Sequence, residues 1–185
     1  MNSPFYKKAT ERMKIVIDTL KKDYASIRTG RASLALLEPI HVDYYGTKTP
    51  LNQVASMSVP DPRQITIQPW DPKAIAEIEK AILKSDLGLT PSNDGKTIRL
   101  TIPPLTEERR KELVKFAKKR LEEARVSIRN VRRDINEEIK KEEKNKKISE
   151  DEAKRFHDEI QKLTDSFIEK AEEILRHKEK EIMEV

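Results

Sequence analysis

Cysteine is absent from the chain, which excludes disulfides, thiol nucleophiles and cysteine-ligated metals. Glycine is almost as scarce: four residues, never clustered, leave no backbone loop to cradle a phosphate. The three histidines, His41, His157 and His177, have no second ligand at a useful spacing, so no metal site is expected. No nucleophile elbow occurs. The many carboxylates alternate with Lys and Arg, as solvated helix faces do. No catalytic group and no cofactor are therefore expected. No stretch approaches ~18 apolar residues, so no membrane span is expected. The start, Met1-Asn2-Ser3-Pro4, lacks the charged and apolar regions of a signal peptide, and a cytoplasmic protein is the default expectation.

What the chain does have is charge. Of its 185 residues 38% are charged and only 36% hydrophobic, against a globular average nearer ~45–50% apolar. That balance suits an elongated molecule with long solvated helices and a thin core. The net charge of +5 is unevenly spread. Residues 1–30 carry a net +4, residues 31–104 zero, residues 105–147 a net +6 and residues 148–185 a net −5. A positive face opposite a negative one favours docking on a polyanion over diffuse stickiness.

Ser3-Pro4 can cap and open a first helix. Phe5, Ala9, Met13, Val16, Leu20, Tyr24 and Ile27 then recur at helical spacing up to Thr29-Gly30, where Gly30 is a plausible stop. From Arg31 the texture changes, for nine of the ten prolines lie between residues 31 and 104. Ile40–Tyr44, Ser56–Val59, Gln64–Ile67 and Thr97–Ile102 read as strands. Residues 45–50 and 92–95 read as turns, and Asp71-Pro72 opens a short helix facing inward through Ile75, Ile78 and Ile82. Pro103-Pro104 closes this neutral β/α/β module.

Thr106 caps the next helix, whose Leu113, Ala117, Leu121, Ala124, Ile128, Val131, Ile135 and Ile139 form one seam. It should run to Lys144, about 39 residues and roughly 58 Å. Ser149-Glu150-Asp151-Glu152 is a capping box. The last helix should bury Ala153, Phe156, Ile160, Leu163, Phe167, Ala171, Ile174 and Ile182. Three amphipathic helices with one seam each must share a core. The expected fold is α+β: an elongated three-helix bundle, residues 1–30 and 105–185, with a small β/α/β domain, residues 31–104, inserted between its first two helices. Two short crossings of that boundary make a hinge with a restricted path.

The chemistry then concentrates in Ala124–Asp134. Arg125, Arg129 and Arg132 each follow a seam residue by one position, forming a second stripe about 100° round the helix. Arg133 lies beside it; Lys118, Asn136 and Lys140 extend it, and Glu122 interrupts it. The ordinary fate of such charges is pairing along the helix with Glu122, Asp134, Glu137 or Glu138. Within Ala124–Asp134 four arginines meet a single acid, Asp134, and no lysine occurs between Lys119 and Lys140. The planar guanidinium suits bidentate phosphate contact. No aromatic lies in the stripe, which argues for folded RNA or duplex backbone over a base-stacking platform.

Six stretches in order carry a family likeness: Arg28-Thr29-Gly30-Arg31-Ala32, Val42-Asp43-Tyr44-Tyr45-Gly46, Ser85-Asp86-Leu87-Gly88-Leu89, Pro103-Pro104-Leu105-Thr106-Glu107-Glu108-Arg109-Arg110, Ile128-Arg129-Asn130-Val131-Arg132-Arg133 and Ile160-Gln161-Lys162-Leu163-Thr164-Asp165. Across essentially its whole length the chain resembles the bacterial ribosome recycling factors. The resemblance implies a two-domain L shape, roughly like a tRNA, and a monomer without enzymatic activity. It implies binding to the post-termination ribosome, chiefly to large-subunit ribosomal RNA, and subunit splitting with elongation factor G. GTP would be used by that partner. It implies that Arg129 and Arg132 grip the RNA, with Arg28, Arg31, Arg109 and Arg110 as further basic positions. Arg125 and Arg133 complete the ladder read from the helix itself. The implied hinge comprises Thr29, Gly30, Arg31, Pro103, Pro104 and Leu105. A hibernation factor that holds joined subunits together, or a helical adaptor for an acidic protein, would carry a similar basic face.

Overall fold

The protein, as a computed structural model, is described over residues 3–184. Met1 and Asn2, part of the start read above, lie outside the described residues, as does Val185. The chain divides into two compact units: one holds the residues up to Arg28 and from Thr106 onward, the other Thr29–Leu105. These limits fall one or two residues from those drawn at 30/31 and 104/105.

The first unit is a three-helix bundle. Helix α1 spans Pro4–Ala25. The Ser3 hydroxyl accepts from the Tyr6 amide at 3.1 Å, satisfying one of the donors a helix start leaves unpaired. Helix α1 stops short of Gly30, because the Ser26 hydroxyl donates to the Asp23 carbonyl at 2.6 Å and the Ile27 amide closes on Tyr24 O at 3.1 Å. Such local bonds compete with the helical ladder. Its buried residues are Ala9, Met13, Ile17, Leu20 and Tyr24. Ile17 takes the core position expected of Val16, which is half-buried.

The other two bundle helices are longer, and are labelled α3 and α4 because the inserted unit supplies α2. Helix α3 spans Glu107–Lys144, 38 residues, and opens with the Arg109 amide bonded to Thr106 Oγ1 at 3.1 Å. It buries all eight seam residues expected of it. Helix α4, Glu150–Met183, starts with a reciprocal capping box: the Ser149 hydroxyl accepts from the Glu152 amide and the Glu152 carboxylate accepts from the Ser149 amide. Those bonds hold the Glu152 carboxyl below its ordinary pKa. Its buried face uses Leu175 where Ile174 was expected; Ile174 is half-buried. Phe156 is half-buried too, its ring tilted against Phe5 with centroids 5.4 Å apart. Met13, Leu20, Ile128 and Ile135 are among the most enclosed side chains, and burying each contributes about 1.5–3 kcal/mol.

The second unit begins with strands β1, His41–Tyr44, and β2, Thr47–Pro50, paired as an antiparallel hairpin. Its turn is only Tyr45-Gly46, both at positive φ (49° and 79°), as a tight two-residue hairpin turn requires. The expected turn over residues 45–50 is therefore mostly strand. Strands β3, Ala55–Asp61, β4, Gln64–Pro69, β5, Ser92–Asn93, and β6, Ile98–Thr101, form an antiparallel sheet ordered β3-β4-β6-β5. Ser92-Asn93, read as turn, pairs with β6 at the edge. A one-turn 3-10 segment, Pro72–Ala74, leads into helix α2, Ile75–Lys84. Val42, Ile65, Ile67, Ile78, Ile82, Ile98 and Leu100 close the core.

Three contacts fix the two connecting stretches within this unit. The Ala32 amide donates to Pro62 O, and the Ile102 amide to Arg63 O, both at 2.7 Å. Gly30 has φ +72°, and a Cβ there would lie 3.2 Å from Leu105 Cγ. A side chain at position 30 would meet both left-handed strain and a close neighbour.

Tyr24 links α1 to α3. It is buried, and its hydroxyl donates to the Ala117 carbonyl at 2.6 Å. Burial, reinforced by Glu179 and Asp23, pushes its pKa from 10.0 up to about 12. Folding thus favours the neutral phenol: its stabilisation is complete below the unfolded value and is lost as pH climbs through the folded one. Denaturant-measured stability should fall between pH 10 and about 12. Tyr24→Phe should cost about 1 kcal/mol at neutral pH and flatten that alkaline fall. An equally steep fall in the variant would place its origin elsewhere.

Candidate nucleic-acid interface

Helix α3 runs antiparallel to both its bundle neighbours, as the pairing of low with high residue numbers shows: Lys8 with Glu138, Arg12 with Asp134, Arg125 with Glu172, Arg132 with Gln161. Its charged residues therefore look toward α1 on one side and α4 on the other. The fate of each arginine depends on what those neighbours offer.

On the α4 side the stripe splits in two. Lys118 Nζ lies 3.8 Å from Glu179 Oε1. Arg125 is the most enclosed of the ladder arginines with an ion pair: it bonds Glu172 at 2.6 Å and Glu122 at 3.1 Å. Hydrogen bonds to those two carboxylates raise its pKa further above the usual arginine value. Both ends of its guanidinium fork are engaged. Two helical turns on, Arg132 meets no carboxylate within ion-pair distance among the described residues. Its Nη1 donates to the Gln161 amide oxygen at 3.3 Å, and Gln161 Nε2 donates onward to Asp165 at 2.9 Å. One turn further, Asn136 Oδ1 lies 2.8 Å from His157 Nδ1. The half of the stripe around Lys118 and Arg125 is neutralised; the half around Arg132 faces neutral groups.

On the α1 side the local acids are withdrawn. Arg12 holds Asp134 at 2.6 Å and Lys8 holds Glu138 at 2.5 Å, while Glu137 pairs with Lys140 at 3.4 Å. Those are three of the four acids available to quench the ladder along its own helix. The fourth, Glu122, serves Arg125 and only approaches Arg129, at 4.0 Å. Arg133 is exposed and donates to Asn130 Oδ1 at 3.4 Å. Arg129, Arg132 and Arg133 thus make a compact cationic patch with unspent donors, and Arg125 stands outside it as a packing residue.

The other basic positions differ in setting. Arg109 lies ~30 Å along α3 from Arg129 at helical rise; it is exposed and pairs with Glu112 at 2.9 Å. Arg110 is half-buried, and its Nε is enclosed without a hydrogen-bond partner among the described residues. Arg28, just past α1, and Arg31, in the second unit, are both exposed. Thr29, Gly30, Arg31, Pro103, Pro104 and Leu105 all lie in the connecting stretches between Arg28 and Thr106.

Sequence reasoning met Gln161 only inside the Ile160–Asp165 stretch of family likeness and gave it no role, since an exposed glutamine on α4 is unremarkable until the register with α3 is known. Among the described residues no His, Cys, Asp and Glu group is arranged to hold a metal ion, and no helix is long and apolar enough to cross a membrane.

Comparison with known proteins is consistent along the whole chain. The family model described as ribosome recycling factor matches residues 20–183. The ribosome-recycling factor of Oleidesulfovibrio alaskensis is 63% identical over 175 residues, covering 95% of each chain. A solution structure of ribosome recycling factor superposes with a TM-score of 0.76 at 48% identity, covering 100% of both chains. A second structure, at 48% identity, TM-score 0.61 and 97% coverage of both chains, comes from models of the T. thermophilus ribosome recycling factor and E. coli elongation factor G bound to the E. coli post-termination complex.

Proposed function

The chain belongs to the ribosome recycling factor family, and from that premise we propose that it is a non-enzymatic translation factor which binds the post-termination ribosome and, with elongation factor G, promotes separation of the subunits for reuse. The observation that carries the RNA-binding half is the unquenched state of Arg132 and Arg133, beside Arg129, which Glu122 reaches only at 4.0 Å. Phosphate oxygens accept charge-assisted bonds from a guanidinium fork in pairs, and Arg132 has only one donor spent, on a neutral amide. Large-subunit ribosomal RNA supplies such oxygens at high density. The role of the bundle is therefore an anchor: a rigid rod whose arginines are set by helix packing before RNA arrives, so little ordering cost remains at binding.

The second unit is the movable part of this reading. It carries no net charge over residues 31–104, so the RNA backbone exerts little pull on it. It joins the anchor through two short stretches, 29–31 and 103–105, bounded by the bonds of Ala32 and Ile102 to the β3–β4 turn. Rotation confined to those positions turns the module as one body. The energy for splitting comes from GTP hydrolysed by elongation factor G, and this chain needs no cofactor of its own. Cytoplasmic action as a monomer fits the same reading.

Arg132→Ala should weaken binding to large subunits several-fold or more at near-physiological salt, with an unchanged thermal melt by circular dichroism. Unaltered affinity would remove the patch from the mechanism. The hinge has a separate test: a covalent crosslink that stops the two units moving independently should leave binding intact but block splitting, read by subunit sedimentation with elongation factor G and GTP. Normal splitting by the locked protein would dismiss the hinge. Persistent joined particles with the unlocked protein would instead favour a hibernation factor.

A further inference from the structure

We propose that Gln161 is a positioning residue for RNA binding: its amide, oriented by Asp165, holds the Arg132 guanidinium at the helix surface without neutralising it. The inference rests on the anchor reading above and deepens it. An amide can present either its oxygen or its nitrogen, and the choice matters to a cation. Here Nε2 donates to Asp165 Oδ1 at 2.9 Å, which fixes Oε1 as the atom facing Arg132 at 3.3 Å. Arginine has five N–H donors. Gln161 takes one of them and leaves the others for a phosphate.

Arg125 shows what the same helix pair does with a carboxylate in the facing position. Arg125 and Arg132 lie about two turns apart on one face of α3, and Glu172 and Gln161 about three turns apart on one face of α4. At the first station the guanidinium is tied to Glu172 at 2.6 Å and shared with Glu122; at the second it rests against a neutral oxygen. Helix α4 carries 11 acidic residues, so a neutral acceptor opposite Arg132 departs from the helix's general character. Asp165, one turn on along α4, is occupied by the glutamine itself. Helix α4 thereby sets where the cationic patch begins: quenched at Arg125, open at Arg132.

The test measures equilibrium binding of the full chain to purified large subunits at one fixed salt, with thermal melts as a folding check. Gln161→Ala removes the rest and should weaken binding about threefold, the scale of one modest hydrogen bond. Gln161→Glu recreates the Arg125 station and should weaken it about tenfold, since it both captures Arg132 and repels phosphate. In an Arg132→Ala background the Gln161→Ala loss should vanish and most of the Gln161→Glu loss should go with it. Losses that persist undiminished without Arg132, or Gln161 variants that bind like the parent while Arg132→Ala does not, overturn the positioning role alone. If Arg132→Ala itself binds normally, the anchor reading fails instead.

Discussion

The ion pairs that α1 draws from α3, Arg12 to Asp134 at 2.6 Å and Lys8 to Glu138 at 2.5 Å, are the contacts on which the rest depends. Exposed pairs of this kind contribute little to stability, commonly ~0–1 kcal/mol. Their consequence is occupancy. Each carboxylate held by α1 is one that cannot fold back onto Arg129, Arg132 or Arg133. A third helix then decides the other side, offering Glu172 to Arg125 and only an amide to Arg132. Charge on α3 is sorted by its neighbours into packing and presentation, and the sorted cations keep their place because the seam from Leu113 to Ile139 is buried.

How much of this was legible beforehand follows from where each determinant lies. The helices and their starts were plain, since Ser3, Thr106 and Ser149 cap within three residues of themselves. The edge strands β2 and β5 were not: both are polar and largely exposed, so neither shows the alternation that marks a half-buried strand. At Val16 and Ile17 two adjacent apolar residues could each continue the seam, and only packing chose the second. The ladder was visible as composition, and the family likeness singled out Arg129 and Arg132 within it, but the helix pattern gave no physical ground for the distinction. What separates Arg125 from Arg132 sits 47 and 29 residues further along, and what frees the patch from Asp134 sits 122 residues back. Sequence spacing along one helix does not reach that far; interhelical register does.

The two units divide the work by charge as well as by fold. The bundle concentrates the basic excess on α1 and α3 and the acidic excess on α4, and the inserted module is balanced. On the proposed reading a polyanion grips one unit, and the other is left to respond to a protein partner. Gly30 and the Pro103-Pro104 pair suit the boundary between them. The glycine adopts a left-handed backbone against Leu105, and the prolines resist helix on either side, so α3 cannot extend back into the module.

The central claim is that packing geometry, not arginine content, determines which cations meet RNA. The direct measurement is the slope of log affinity against log salt for large-subunit binding, compared among Arg125→Gln, Arg129→Gln, Arg132→Gln and Arg133→Gln. Each substitution of a phosphate-contacting residue should reduce the slope by about 0.7–0.9, so the last three should each show that drop and Arg125→Gln should leave the slope unchanged. Equal drops in all four, or none in any, would contradict the account.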